Sequence, residues 1–579
     1  MGGGHEQVNK ERPSNPYADD RFHRLIGIPG ILILAVLFIG PVVVVLRQAF
    51  IDGAGRFTFA ILVQTALDPY VLRLLAFTLV QAALSTVAAI VLALPGAYLL
   101  ATYDFVGKRL VRALCMIPFV LPSILVVLGF VIIYGNNGML NSLLMHVFDL
   151  QEPPLRILYS FKAIILAHAF YNFPLTLGIV SSYWERLPDS LGQAANTLGA
   201  RRFTVFRTIT LPRLVPAIAS SATLVFLFCF SSFAIMLVLG GGPQFTTMEV
   251  EIYRQARVML DTSKAAALSL VSILTAIIFV ALHSWAQRAL ARQEEYRFQT
   301  ASKGRTPRKI SSFSARMAIV VYSIGMLLFV TGPLAGIIVR SFQATESRSG
   351  SYAFTLKWYR QLAESFVAVG QSQDGWGVAV LNSLGIALAV TLISIVVSTL
   401  TAASIGRRRT SHQVSAEILA MLPMAVSSVI IGLGYYIVAT YLHGPDAWRL
   451  VAVVLAHVVI ASPLVLRAVL PQYRSIPLSY LQASLTLGAN VSRTFKQVEL
   501  PLLRSAIATG AAFAFAISLG ELNATLVLSD SHIVTLPVVM YRLIGSYNFP
   551  AACALGTVLI VLCVMTFLAT ESFRRRRHV

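Results

Sequence analysis

The sequence predicts an all-α polytopic membrane protein, with about 12 transmembrane helices in two parallel six-helix repeats. Three observations carry this prediction. Of the 579 residues, 56% are hydrophobic and only 12% are charged. The apolar residues fall into runs of about 20, the length that crosses a bilayer as a helix. Finally, a polar stretch, QAANTLGARRFTVFRTITLP from Gln193 to Pro212, returns 289 residues later as QASLTLGANVSRTFKQVELP from Gln482 to Pro501.

The hydrocarbon core offers no partner for a free backbone N–H or C=O, so each run is predicted as a helix. The first half has runs near 25–47, 74–101, 111–134, 157–182, 214–239 and 265–289, and the second has runs near 316–340, 378–404, 416–441, 449–470, 503–528 and 550–570. The first run follows a polar leader and continues into LRQAF without a small-x-small cleavage site, which favours an uncleaved span. The charge-rich ARQEEYRFQTASKGRTPRKISSFSAR separates the halves. The predicted organisation is a first repeat at 1–290, a cytoplasmic linker at 291–315 and a second repeat at 316–579, with polar loops at about 184–213 and 473–502.

Lys and Arg in short loops set the orientation. Basic residues gather at Arg24, Lys108/Arg109/Arg112, Arg201/Arg202/Arg207/Arg213, the linker, Arg407/Arg408/Arg409, Arg493/Lys496/Arg504 and Arg574 to Arg577. Alternate loops are poorer in basic residues or balanced by acids, as in Glu249, Glu251, Arg254, Arg257, Asp261 and Lys264. Both termini are therefore expected in the cytoplasm, with the terminal arginines as a stop anchor. The net charge of +21 belongs to this pattern, and no recognition module argues for nucleic acid.

Cys115, Cys229, Cys553 and Cys563 fall in or beside apolar runs without metal-ligand spacing, and they read as packing residues. His168 and His457 sit alone on apolar stretches, where packing outweighs metal ligation; no metal site is predicted. There is no G-x-x-x-x-G-K-[ST] phosphate loop, HExxH or G-x-S-x-G, so no enzyme activity and no catalytic residue is expected in this chain.

The repeat extends beyond the polar stretch. AHAFYNFPL from Ala167 aligns with AHVVIASPL from Ala456 at the same 289-residue offset, and IPFVLPSILVVLG from Ile117 resembles LPMAVSSVIIGLG from Leu422 at an offset of 305. Two six-span units of one orientation, related by an axis along the membrane normal, are expected.

Within the polar stretches, Ser190 to Gln193 and Ser479 to Gln482 fit an S-x-x-Q capping box, predicting a helix start. Leu191, Ala194 and Leu198 then share a face, as do Tyr480, Ala483 and Leu487, before Gly199 and Gly488 at the positions that favour a left-handed turn. Each stretch is read as a short amphipathic helix. Periodicity alone leaves two roles open, a docking element or a helix lying in the lipid interface.

The pattern Gln193, Ala194, Ala195, Gly199, Ile209, Leu211, Pro212, repeated as Gln482, Ala483, Ser484, Gly488, Val498, Leu500, Pro501, resembles the EAA loop of ABC-importer permeases. The resemblance implies that each loop docks in a cleft of a separate ATPase subunit, that an ATPase dimer binds ATP and Mg and grips both loops, and that a solute-binding protein delivers a small molecule outside. It also implies the bacterial cytoplasmic (inner) membrane. Both copies carry Gln where the family usually has Glu. A proton- or ion-driven secondary transporter is the alternative of a different class, weakened by the scarcity of carboxylates in the spans.

Among fused two-copy permeases the chain is most similar to the thiamine-importer type, through FCFSSFAIMLVLGGGPQFTTMEVEIY, YGNNGML, ISLGELNATLVLSDSHIVTLPVVMY and IGSYNFPAA. Iron(III)-importer permeases share the architecture and are the alternative. Gly240 to Pro243 reads as a turn. Candidate path residues are Phe170, Tyr171, Asn172, Ser231, Ser232, Glu521 and Asn523. Glu521 stands out as a carboxylate within an apolar run, placed to face a cation or a packing partner.

Overall fold

The computed structural model describes residues 21–575, apart from short segments at 52–54, 189, 241, 299–307, 310–312, 346–351, 368–374, 407–410, 443–445 and 531–532. Arg407 to Arg409, Gly241 and most of the inter-half linker therefore lie outside the described residues. Twelve helices carry the architecture. In the first half they are α1 (Arg21–Gln48), α2 (Pro69–Thr102), α3 (Ser123–Tyr134), α4 (Phe161–Arg186), α5 (Leu211–Phe230) and α6 (Thr262–Phe298). The second half has α7 (Phe313–Ser341), α8 (Trp376–Ile405), α9 (Ser428–Tyr441), α10 (Asp446–Ser475), α11 (Leu500–Gly520) and α12 (Phe549–Arg575).

Among the described residues, 11 helices are long and apolar enough to cross a membrane, and a bent pair, Ser411–Ala425 with α9, makes up to 12. The chain is an all-α multi-pass membrane protein, as its sequence predicts. Its only described strands are short pairs, such as Tyr103–Asp104 beside Arg308–Lys309, which fastens part of the linker to the loop after α2. The linker is shorter than the expected 291–315, because α6 continues to Phe298 and α7 begins at Phe313.

The halves embrace through their first spans. α1 packs on α8 and α9 of the second half, and α7 packs on α3 of the first. The contacts are equivalent: a Cβ on Gly129 of α3 would lie 2.7 Å from Pro333 of α7, and one on Gly434 of α9 would lie 2.7 Å from Pro41 of α1. Only glycine lets the backbones approach this closely, the usual device for helix contact where no water drives association.

Two spans per half depart from the continuous helices predicted near 111–134, 416–441, 214–239 and 503–528. The third span of each half breaks, at Leu121–Pro122 before α3 and at Val426–Ser427 before α9, where the bend reaches 93°. Pro122 lacks an N–H and forces Leu121 into extended geometry, φ −75° and ψ 145°. In the second half no proline stands there, and the Ser427 side chain instead accepts the Val429 N–H and caps α9. The fifth spans break at Ser231–Phe233 after α5 and at Glu521–Leu522 after α11, before short helices Ala234–Leu239 and Asn523–Leu528.

Candidate coupling loops and translocation path

The repeated polar stretch folds the same way twice. A helix, Ser190–Thr197 or Leu478–Thr486, ends at a glycine of φ +83° (Gly199) or +84° (Gly488). Each end is closed by a matching pair of hydrogen bonds: Gly199 N–H to Asn196 O and Ala200 N–H to Ala195 O, against Gly488 N–H to Leu485 O and Ala489 N–H to Ser484 O. This is the six-to-one and five-to-two closure of a Schellman turn, which favours a residue without a Cβ. The capping box does not form in the second copy, where Pro477 holds the cap position without a side-chain bond and Ser479 lies inside the helix. Proline supplies extended geometry at that boundary, so the helix starts two residues earlier than the capping box predicts. Ser190 is likewise already helical.

After the glycine, each chain climbs straight into the fifth span through one π-helical turn, Phe206–Thr210 or Phe495–Glu499. Leu211 N–H reaches back to Phe206 O, and Leu500 N–H to Phe495 O. Pro212 and Pro501 explain the widening, since each lacks an N–H and would crowd the carbonyl four residues back in a regular helix. Ile209 and Val498 therefore lie in the widened turn, and Leu211/Pro212 and Leu500/Pro501 open α5 and α11. Gln193, Ala194, Gln482 and Ala483 are exposed, and Ala195 and Ser484 are half-buried. Leu198 and Leu487 are each 88% exposed, an apolar side chain offered to whatever lies beyond the loop.

The four breaks meet where the halves meet, and the two junctions differ. At one, Gly520 of α11 abuts Pro122, with no room for a Cβ. At the other, Ser231 and Ser427 line a water-sized cavity of about 20 Å³ that also touches Phe228, Ser272 and Glu249. Glu249, read from sequence as an outer-loop acid, is fully buried. It lies on a short helix, Met248–Arg257, and accepts hydrogen bonds from Ser427 across the junction (2.5 Å) and from Ser272 of α6 (3.2 Å). Burial pushes its carboxyl pKa up to about 7, against the two hydroxyl bonds, which lower it. Nothing in the local sequence flags this residue, because its partner is 178 positions away.

The predicted path residues divide. Phe170 is buried, edge-on to Phe130 (5.3 Å) and Phe329 (5.2 Å), and Asn172 is buried with its amide on His168 O (3.0 Å). Both are packing positions of α4. Tyr171, Ser231, Ser232, Glu521 and Asn523 are partly exposed and lie on α4 or at the fifth-span breaks. Glu521 Oε1 accepts the Ala524 N–H at 3.0 Å, and Asn523 Nδ2 donates to Ser428 Oγ at 2.9 Å. His457 staples this break: its ring nitrogens bond Ser518 Oγ (2.9 Å) before it and Thr525 Oγ1 (2.8 Å) after it. His168 contacts Ser85 Oγ, and among the described residues no group of His, Cys, Asp and Glu could hold a metal ion. All four cysteines are buried and free.

The profile of the binding-protein-dependent transport system inner membrane component matches residues 85–295 and 401–579, once in each half. The chain belongs to that family. The permease is 29% identical over 535 residues to the thiamine transport system permease protein ThiP of Brucella suis, covering 91% of each chain. It is 28% identical over 515 residues to ThiP of Escherichia coli, covering 88% of this chain and 90% of the relative. A putative 2-aminoethylphosphonate transport system permease protein of Salmonella typhimurium matches 253 residues at 27% identity, 44% of this chain. The permease is thus an ABC-importer subunit of the fused, two-repeat kind, and the ion-driven secondary carrier is set aside.

Proposed function

We propose that this permease is the membrane path of an ATP-driven thiamine importer of the bacterial inner membrane. A separate ATPase dimer, which binds ATP and Mg, grips its two loops, and an extracytoplasmic solute-binding protein supplies the cargo. The observation that carries the coupling role is the twofold recurrence of one unit: a helix closed by a left-handed glycine, an exposed leucine, and a π turn leading without interruption into the fifth span. A push on the loop helix reaches α5 or α11 through one short glycine turn and then a continuous helical run that begins at Arg202 or Val491. Each of those spans ends at a break beside the junction of the halves, where a path opens or closes. In this reading Gln193, Ala194, Ala195 and Gly199, with Gln482, Ala483, Ser484 and Gly488, form the docking surfaces, and both termini lie on the ATPase side.

Thiamine is proposed because the full-length relatives named above are thiamine permeases and because the carboxylate Glu521 suits a cationic cargo. The test is reconstitution in proteoliposomes with the ATPase and binding protein, comparing uptake of labelled thiamine and iron(III). ATP-dependent thiamine uptake that survives collapse of ion gradients is expected. Uptake of iron(III) alone would overturn the cargo, and uptake without the ATPase would overturn the coupling.

A further inference from the structure

Three aromatic residues of the first half converge at the breaks, from three different elements. Phe119, on the short helix before the third-span break, lies 6.4 Å from Tyr171 of α4 and 5.9 Å from Phe228 in the last turn of α5, centroid to centroid. All three are only partly buried. Across the junction stands Glu521 of the second half, next to Gly520, which abuts Pro122 three residues beyond Phe119. Ser428 donates a hydrogen bond to Glu521 and accepts one from Asn523. Asn523 Oδ1 is buried and has no hydrogen-bond partner, and Glu521 makes no ion pair among the described residues.

A carboxylate without a counter-ion, an amide oxygen without a donor and a wall of aromatic rings are complementary to one class of molecule. An organic cation satisfies the carboxylate, its flat rings stack on the aromatic faces, and an N–H group supplies the donor that Asn523 lacks. A hard metal ion is a poorer match, since it asks for several oxygen ligands while aromatic faces offer none. We infer that Phe119, Tyr171 and Phe228 of the first half and Glu521, Ser428 and Asn523 of the second form a transient site that holds a flat organic cation at the junction of the halves. This rests on the importer reading and adds the place and the chemistry of the cargo contact.

The experiment uses the reconstituted complex with labelled thiamine and with an uncharged analogue in which the thiazolium nitrogen is replaced by carbon, after the binding protein's affinity for each has been measured separately. Glu521→Gln is expected to lower thiamine uptake at least tenfold and to abolish the preference for the cation, while cargo-independent ATPase activity persists. Tyr171→Leu and Phe119→Leu should each raise the half-saturating concentration. A wild type that imports thiamine, with Glu521→Gln retaining the same preference for the cation, overturns the site. Should Glu521→Gln lose its ATPase partner, the two leucine variants decide: unchanged half-saturation in both overturns the site as well. Failure of the wild type to import thiamine defeats the cargo reading itself, which is a different outcome.

Discussion

Arg112 and Glu185 form an ion pair of 2.5 Å, joined by Lys108 at 3.4 Å, where the third and fourth spans of the first half emerge beside the loop helix. At the equivalent positions of the second half, 305 and 289 residues later, stand Glu417 and Arg474, paired at 2.7 Å with the charges exchanged. Within each half the pair attracts. Across halves, Arg112 would meet Arg474 and Glu185 would meet Glu417, so the reversal disfavours exchange of these spans between repeats that are otherwise alike.

A charge swap tests this. Each partner is about a third exposed, so screening limits the pair to about 1 kcal/mol. Glu185→Arg is expected to destabilise the detergent-solubilised protein by a similar amount. Adding Arg112→Glu should restore most of it, with Lys108 opposing full recovery. A double-mutant cycle on thermal unfolding that shows no coupling would reduce the pair to coincidence.

Gly199 and Gly488 have open space around them, with nothing within 4 Å of an added Cβ. Any effect of substitution there is a backbone effect, of about 1–2 kcal/mol for the left-handed region and more for a β-branched residue. Gly199→Val and Gly488→Val should impair ATPase association and uptake while leaving membrane insertion intact, and Asn should be milder. Normal association and uptake in both valine variants would defeat the coupling role.

The Glu249 bridge predicts both a stability loss and a pH dependence. Glu249→Ala leaves two hydroxyls short of an acceptor and should cost about 1–3 kcal/mol, with positive coupling to Ser427→Ala in a double-mutant cycle. The folded carboxyl titrates near 7 against an ordinary 4.5, so the folded state holds its proton more tightly. Its contribution is therefore fully present below about pH 4.5 and is lost as pH rises through 7. Glu249→Gln should flatten that slope; an unchanged slope in a pH series of thermal unfolding would show that other groups set it.

Orientation is open to direct labelling. Single cysteines placed between 299 and 307, or after Arg577, should react with an impermeant maleimide only when the ATPase-side face is accessible. Reaction of either from the opposite side would reverse the topology inferred from the basic loops.

Much of this molecule is legible in linear form. The spans, the two offsets of the repeat and the left-handed glycines are encoded by residues adjacent in the chain or at fixed spacing, since lipid demands continuous apolar runs and a Schellman turn demands a glycine beside its own helix. Pro122 stands at its break, inside a run whose hydropathy predicts a continuous helix. The breaks at Val426–Ser427 and Glu521–Leu522 carry no such mark. They are held by bonds from elsewhere: Ser427 donates to Glu249, and His457 spans Ser518 and Thr525.

The sequence by itself determined a two-repeat membrane protein with two matching loops, because hydropathy, periodicity and internal repetition are properties of the chain in order. Only the tertiary structure decided which polar residues face one another. Glu249 is a loop acid until the halves close over it, and Glu521 acquires its aromatic surroundings from the opposite half. Such environments are made by residues from distant positions meeting at a junction, and no local pattern records which surfaces will meet.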